Sequence, residues 1–178
     1  MENNQKIVCS NIWKLFGPNE KNILSNLDQS LSRNEVQEKT GHVVAVKEVS
    51  FSVQKGETFV VMGLSGSGKS TLVRCLSRLI EPTSGLVTID GVDVTKMNNK
   101  ELTDLRRNRM SMVFQHFGLF PHRRVIENIG YGLEIRGVGK KERTEKSMET
   151  LKLVGLDGWD QHYPRELSGG MQQRVGLA

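Results

Sequence analysis

At 178 residues the chain is the size of one ordinary domain, long enough to bury a core without metal or disulfide staples. Hydrophobic residues make up 37% and charged residues 25%, which describes a globular protein and excludes a disordered or fibrous one; the longest apolar runs, such as Thr58 to Met62, fall far short of the roughly 20 residues that span a bilayer. The net charge of +5 leans basic, yet lysines and arginines are scattered among acidic residues, so no nucleic acid is expected as a partner.

The N-terminus has no basic flank followed by an apolar stretch, so no secretory signal is read there and a cytoplasmic location is expected. Cys9 and Cys75 lie far apart, outside any metal-ligand spacing, and are expected to be reduced. In chain order, Ile7 to Phe16 is predicted as a first strand, closed by a turn at Gly17-Pro18-Asn19. From Asn22, the residues Leu24, Leu27 and Leu31 recur at helical spacing, and Ser32-Arg33-Asn34-Glu35 has the form of a capping box that opens a second short helix. These pieces make a helical insert over about 22–40. The second strand is predicted from His42 to Val53, stopped by Gln54-Lys55-Gly56-Glu57, and Thr58 to Met62 reads as a buried strand.

A helix that begins at Gly68 or Lys69 would turn Leu72, Leu76, Leu79 and Ile80 to the core and stop before Pro82. Past the turn at Pro82 to Gly85, Leu86 to Ile89 is a strand and Asp90-Gly91 a hairpin turn. Asn98 to Glu101 can cap a helix reaching Arg107, and Met110 to Phe114 reads as another apolar strand. After a loop from Gln115 to Pro121, helices are predicted over Val125 to Ile135 and Lys141 to Val154, the latter closing at Gly155. Short strands mixed with helices indicate an α/β domain with an antiparallel region near the N-terminus.

Between the apolar run at Thr58 to Met62 and the following helix lies Gly63-Leu64-Ser65-Gly66-Ser67-Gly68-Lys69-Ser70-Thr71, which fits the phosphate-loop pattern GxxxxGK[ST] in its proper setting. The chemistry accounts for the composition. Gly63, Gly66 and Gly68 allow a tight loop whose amides, with those of Ser65 and Ser67, turn toward a β-phosphate at the positive end of the helix. Lys69 can reach the β- and γ-phosphate oxygens, the Ser70 hydroxyl can ligate Mg²⁺, and Thr71 can meet the α-phosphate. The expected ligand is ATP with Mg²⁺. A phosphate loop alone does not choose among kinases, GTPases and transport motors.

About a hundred residues later, Leu167-Ser168-Gly169-Gly170-Met171-Gln172-Gln173-Arg174 resembles the LSGGQQR signature of ATP-binding cassette (ABC) proteins, with Met171 where that family usually has Gln. Gln115, opening a loop after an apolar strand, resembles the family's Q-loop glutamine. The insert before Gly41-His42-Val43-Val44, with the run from Gly63 to Gly85, is similar to the ATPase subunit of glycine betaine/proline importers. The fold so implied is a P-loop NTPase of the ABC ATPase type, with an antiparallel N-terminal β region and a helical subdomain over about 115–166, its C-terminal part missing.

The resemblance also implies roles. Ser168, Gly169 and Gly170 would contact the γ-phosphate held by a second ATPase subunit in a head-to-tail dimer, and Gln115 would touch Mg²⁺ and the attacking water. The catalytic candidates are thus Lys69, Gln115, Ser168 and Gly170. An aromatic residue of the first strand would stack on adenine, Phe16 by its position before Gly17 or else Trp13, with Val43 or Val44 at the base edge. Phe117, Leu119, Phe120 and the helix from Val125 are candidates either for the groove that receives the membrane permease subunit or for core. That permease would hold the protein at the inner face of the membrane and connect it indirectly to a substrate-binding protein.

A complete ABC domain would continue into an apolar strand ending in the Walker B Asp and a catalytic Glu, followed by a switch His. Asp157, Asp160 and His162 do not occupy such positions, so this polypeptide is expected to hydrolyse ATP little by itself. The alternative reading is a non-hydrolytic nucleotide-binding module.

Overall fold

The computed structural model describes residues 4–115 and 117–178, which form two compact units divided between Arg106 and Arg107. In the first unit, β1 (Gln5–Phe16) pairs antiparallel with β2 (Val43–Gln54), with Phe16 opposite Val43 and Leu15 opposite Val44. On its other edge β1 pairs antiparallel with β3 (Ser84–Ile89), and β3 turns back into the two-residue β4 (Val92–Asp93). The sheet order is therefore β2-β1-β3-β4. Asp90 and Gly91 both take positive φ, 50° and 76°, the backbone that a tight two-residue hairpin turn requires.

The connection between β1 and β2 holds α1 (Glu20–Ser25) and α2 (Arg33–Thr40). Ser32 and Glu35 form the expected capping box: the Ser32 hydroxyl accepts from the Glu35 amide at 3.3 Å and the Glu35 carboxylate accepts from the Ser32 amide at 2.8 Å. Ile23, Leu24, Leu27 and Leu31 pack with buried Val36 against Trp13, Leu15 and Val44, and each aliphatic side chain so covered contributes about 1.5–3 kcal/mol when burial is complete. Polar groups fix the same insert. Lys14 is buried and paired with both oxygens of Glu20 at 2.8 and 2.7 Å, and Lys47 donates to the carbonyls of Gln29 and Leu31 at 2.8 and 2.9 Å.

Helix α3 (Lys69–Leu76) is shorter than its sequence suggests. It buries Leu72 and Cys75, but Leu79 is exposed, contrary to the expectation that it faces the core. The cause is local: Arg78 takes a left-handed φ of 48° and donates to the carbonyls of Val94 and Met97, so the chain leaves the helix one turn early. Helix α4 (Asn99–Asn108) follows, with the Asn98 side chain accepting from the amides of Lys100 and Glu101 as its cap.

Two predicted strands are not strands. Residues 58–62 and 110–114 join no ladder, and Val60, Met62, Val113 and Phe114 are exposed rather than buried. An apolar run becomes a strand only where a neighbour accepts and donates its backbone hydrogen bonds, and neither run forms a ladder with any of the described strands. Phe59 instead stacks on Phe51 of β2, centroids 4.7 Å apart.

The second unit is helical. The predicted single helix from Val125 is two, α5 (Val125–Ile129) and α6 (Tyr131–Ile135), broken at Gly130, where a side chain would meet the Ser147 hydroxyl at 2.9 Å. With α7 (Lys140–Leu153) and α8 (Gly169–Leu177) they enclose Val125, Leu151, Leu156, Leu167 and Val175. Val125 is thus core, as is the inner side of Leu119 packed against it. No helix among the described residues is long and apolar enough to cross a membrane.

Candidate nucleotide site

The phosphate loop passes directly over β2. Gly68 has φ 97°, and a side chain there would collide with the Ala45 carbonyl, so glycine is required both for conformation and for space. Gly66, at φ 77°, makes the turn that precedes it. The Lys69 ammonium donates to the carbonyls of Gly63 and Leu64 at 2.8 and 2.7 Å and lies 3.4 Å from the Ser67 hydroxyl, spanning the loop from within.

Helix α3 begins without a side-chain cap and without an acidic residue in its first turn. Its first internal backbone bond runs from the Leu72 amide to the Gly68 carbonyl at 2.8 Å. The amides of Lys69, Ser70 and Thr71 therefore have no protein acceptor among the described residues, and they sit at the positive end of the helix dipole. This is the constitution of an anion site. The Ser70 side chain is exposed beside them.

The two aromatic candidates for adenine stacking separate cleanly. Trp13 is buried in the core under the insert, whereas Phe16, at the end of β1, is 42% exposed. The Lys14 ammonium lies over the Phe16 ring, 5.0 Å from its centroid. Of the two valines, Val44 is core and Val43 is exposed. Sequence reading missed Lys14, because a lysine alternating with apolar residues gives no sign that it will be buried.

In the second unit, Ser168 is the N-cap of α8, its hydroxyl accepting weakly from the Met171 amide at 3.4 Å, and Ser168, Gly169 and Gly170 are all exposed. The rest of the motif holds this turn in place. Gln172 donates to the carbonyls of Pro164 and Leu167 at 3.0 and 3.1 Å, and Arg174 donates to those of Val154 and Gly155 at 3.0 and 3.1 Å. Met171 packs against the helical core, an apolar anchor where the signature pattern has an amide. Gln115 is exposed at a bend. Near it Val113, Phe114 and Phe117 face Gly170, Arg174 and Leu177 across a cleft of about 290 Å³.

Residues 46–178 match the ABC transporter family. The chain belongs to that family. It is 54% identical over 173 residues to the glycine betaine/carnitine transport ATP-binding protein GbuA of Listeria monocytogenes, covering 97% of this chain and 44% of the relative. It is 53% identical over 173 residues to the glycine betaine transport ATP-binding protein OpuAA of Bacillus subtilis, covering 97% and 41%. Among solved structures it is similar to the ATP-binding cassette MJ0796 in a dimeric post-hydrolysis state bound to ADP and Pi, with TM-score 0.78, 31% identity, and 96% and 67% of the two chains covered. The chain thus spans somewhat under half the length of these curated relatives, and its fold is that of a P-loop, ABC-type ATPase.

Both cysteines are free and buried, and burial pushes each thiol up to about 11, with the neighbouring Cys75 adding to the effect at Cys9. Burial thus disfavours the thiolate at both positions near neutral pH.

Proposed function

We propose that this protein is the ATP-binding subunit of an ABC importer for glycine betaine/proline-type osmoprotectants, working at the inner face of the membrane against a permease and beside a second ATPase subunit. The observation that carries the nucleotide part is the open start of α3, three amides without a protein acceptor above a lysine folded into its own loop. ATP fits these residues. Gly63, Ser65, Gly66, Ser67, Gly68 and Thr71 would line its phosphates, Lys69 would exchange loop carbonyls for β- and γ-phosphate oxygens, and Phe16 would take the base. Mg²⁺ would be held through the Ser70 hydroxyl and the phosphates themselves; bound, it would neutralise charge on the transferring phosphoryl group.

The substrate class rests on similarity to GbuA and OpuAA, whose names give glycine betaine as cargo, and on the insert between β1 and β2. Ser168, Gly169 and Gly170 would meet the γ-phosphate on the second subunit, supported by the exposure of that turn and by the dimeric assembly of the similar cassette.

Uptake tests this reading. Cells lacking the gene should lose labelled glycine betaine uptake at high osmolarity and regain it with the wild-type gene but not with Lys69→Ala. Uptake unchanged by deletion would overturn the importer assignment. Failure of the purified protein to bind a fluorescent ATP analogue would overturn the nucleotide assignment.

A further inference from the structure

We infer that Arg33, on the insert between β1 and β2, is an additional nucleotide-phosphate contact on the outer rim of the phosphate loop; the inference rests on the proposed ATP site. Arg33 is the first residue of α2, and its guanidinium reaches the Ser67 carbonyl at 3.4 Å, across 34 positions of sequence. Ser67 immediately precedes Gly68, the N-cap after which the open amides of α3 begin at Lys69. The arginine therefore reaches the phosphate loop, on the carbonyl side of Ser67, although it is far from it in the chain.

Its bonding is incomplete in a telling way. A guanidinium carries five N–H donors in a planar fork, and this one makes a single long bond to a neutral carbonyl, with no carboxylate partner among the described residues. Phosphate oxygens satisfy such a fork two at a time and with opposite charge, so they are the stronger acceptor for it. No acidic residue lies in the first turn of α3 to compete.

The side chain is exposed but its base is fixed. The capping box sets the direction in which α2 starts, and the insert is tied down on three sides by Lys14 with Glu20, by Lys47 on the carbonyls of Gln29 and Leu31, and by the His42 ring, whose nitrogens lie 2.8 and 2.7 Å from the carbonyls of Thr40 and Pro18. His42 is buried so closely against Gly17 that a side chain there would collide with its ring. A rigid insert that carries an unpaired cation to the phosphate loop is a better binding element than a mobile one, because little order is left to impose.

The test is a set of titrations on the intact protein with ATP, ADP and adenosine, each competed against a fluorescent ATP analogue, for wild type, Arg33→Gln, Arg33→Lys and Lys69→Ala. Arg33→Gln should weaken ATP and ADP by about fivefold, the upper end for one solvent-exposed charge pair, leave adenosine unchanged, and be partly rescued by Arg33→Lys. Two results overturn the inference while leaving the ATP site standing: Arg33→Gln binding ATP like wild type while Lys69→Ala does not, or Arg33→Gln weakening all three ligands alike together with a lower Tm without nucleotide, the mark of a mere tether. If wild type binds no nucleotide, the ATP site fails first and Arg33 with it.

Discussion

Two helices of this chain carry nucleotide motifs at their N-termini, and they begin in opposite ways. Helix α3 starts from Gly68 with no side-chain cap, so its first amides are left for an external acceptor. Helix α8 starts from Ser168, whose hydroxyl already accepts from the Met171 amide. The first is a receptor awaiting an anion. The second satisfies one of its first amides itself and leaves those of Gly169 and Gly170 without a protein acceptor among the described residues, and its single 3.4 Å cap bond is weak enough to be given up. An N-cap serine contributes about 1 kcal/mol, a small cost for redirecting the hydroxyl to a phosphate held elsewhere. The phosphate loop should therefore bind nucleotide alone, and the signature turn should act only on nucleotide already bound.

The strongest way to break this comparison is to attack α3. Lys69→Ala removes the charge-assisted bonds to phosphate and should weaken ATP by about a hundredfold, within the range for truncating one partner of a desolvated charge pair. Gly68→Ala should do comparable harm for a different reason, since the added methyl meets the Ala45 carbonyl in a conformation that L-residues avoid. Calorimetric titration of ATP measures both, and near-native affinity in either variant would refute the account of the loop.

Next in size is the separation of Phe16 from Trp13. Phe16→Ala should weaken ATP by about tenfold, the scale of one lost base–aromatic stack, with little change in Tm. Trp13→Ala should instead destabilise the fold by about 3–5 kcal/mol, because Trp13 is 2% exposed in the cluster that holds the insert. Paired affinity and urea-unfolding measurements check this, and the reverse pattern would exchange the two assignments.

These residues also mark what could be read from sequence. The glycines and Lys69 were legible because a phosphate loop dictates its own backbone, and the capping box at Ser32 and Glu35 was legible because it is closed within four residues. The order of Phe16 before Trp13 came from the position next to Gly17, whereas the burial of Trp13 was not legible, since it depends on which side of β1 the insert covers. The runs at 58–62 and 110–114 misled for a related reason: hydrophobicity predicts that a strand can form, whereas a ladder needs a partner the run itself does not encode. The contacts of Arg33, Lys14 and Arg174 were invisible because each acts on a carbonyl, a carboxylate or an aromatic ring that only the fold brings near.

Ser168→Ala sharpens the comparison from the other side. Losing the weak cap should cost no more than about 1 kcal/mol of stability and leave ATP affinity of a single copy unchanged. Sedimentation of the protein with ATP should nevertheless show less dimer than wild type. A fall in single-copy affinity as large as that of Lys69→Ala would mean that the signature turn belongs to the same nucleotide site as the loop.

The smallest effect concerns α2, whose start is closed from both sides. Hydrogen bonds from the Ser32 side chain and backbone hold the Glu35 carboxyl below the usual carboxylate range. A depressed folded-state value means that this contribution is fully present above about pH 4.5 and is lost as pH falls through the lowered value. Amide exchange corrected for intrinsic rates, followed from about pH 6 to about pH 3.5, should therefore show residues 33–40 losing protection with acid while the hydrogen-bonded amides of α3 from Leu72 onward, in a helix whose first turn has no carboxylate to protonate, do not respond in the same step. Because Arg33 sits on that helix, the same acid step should lower any ATP affinity that Arg33 supplies in wild type and have no such effect in Arg33→Gln; loss of protection in α2 and α3 together would mean that the cap does not govern the insert.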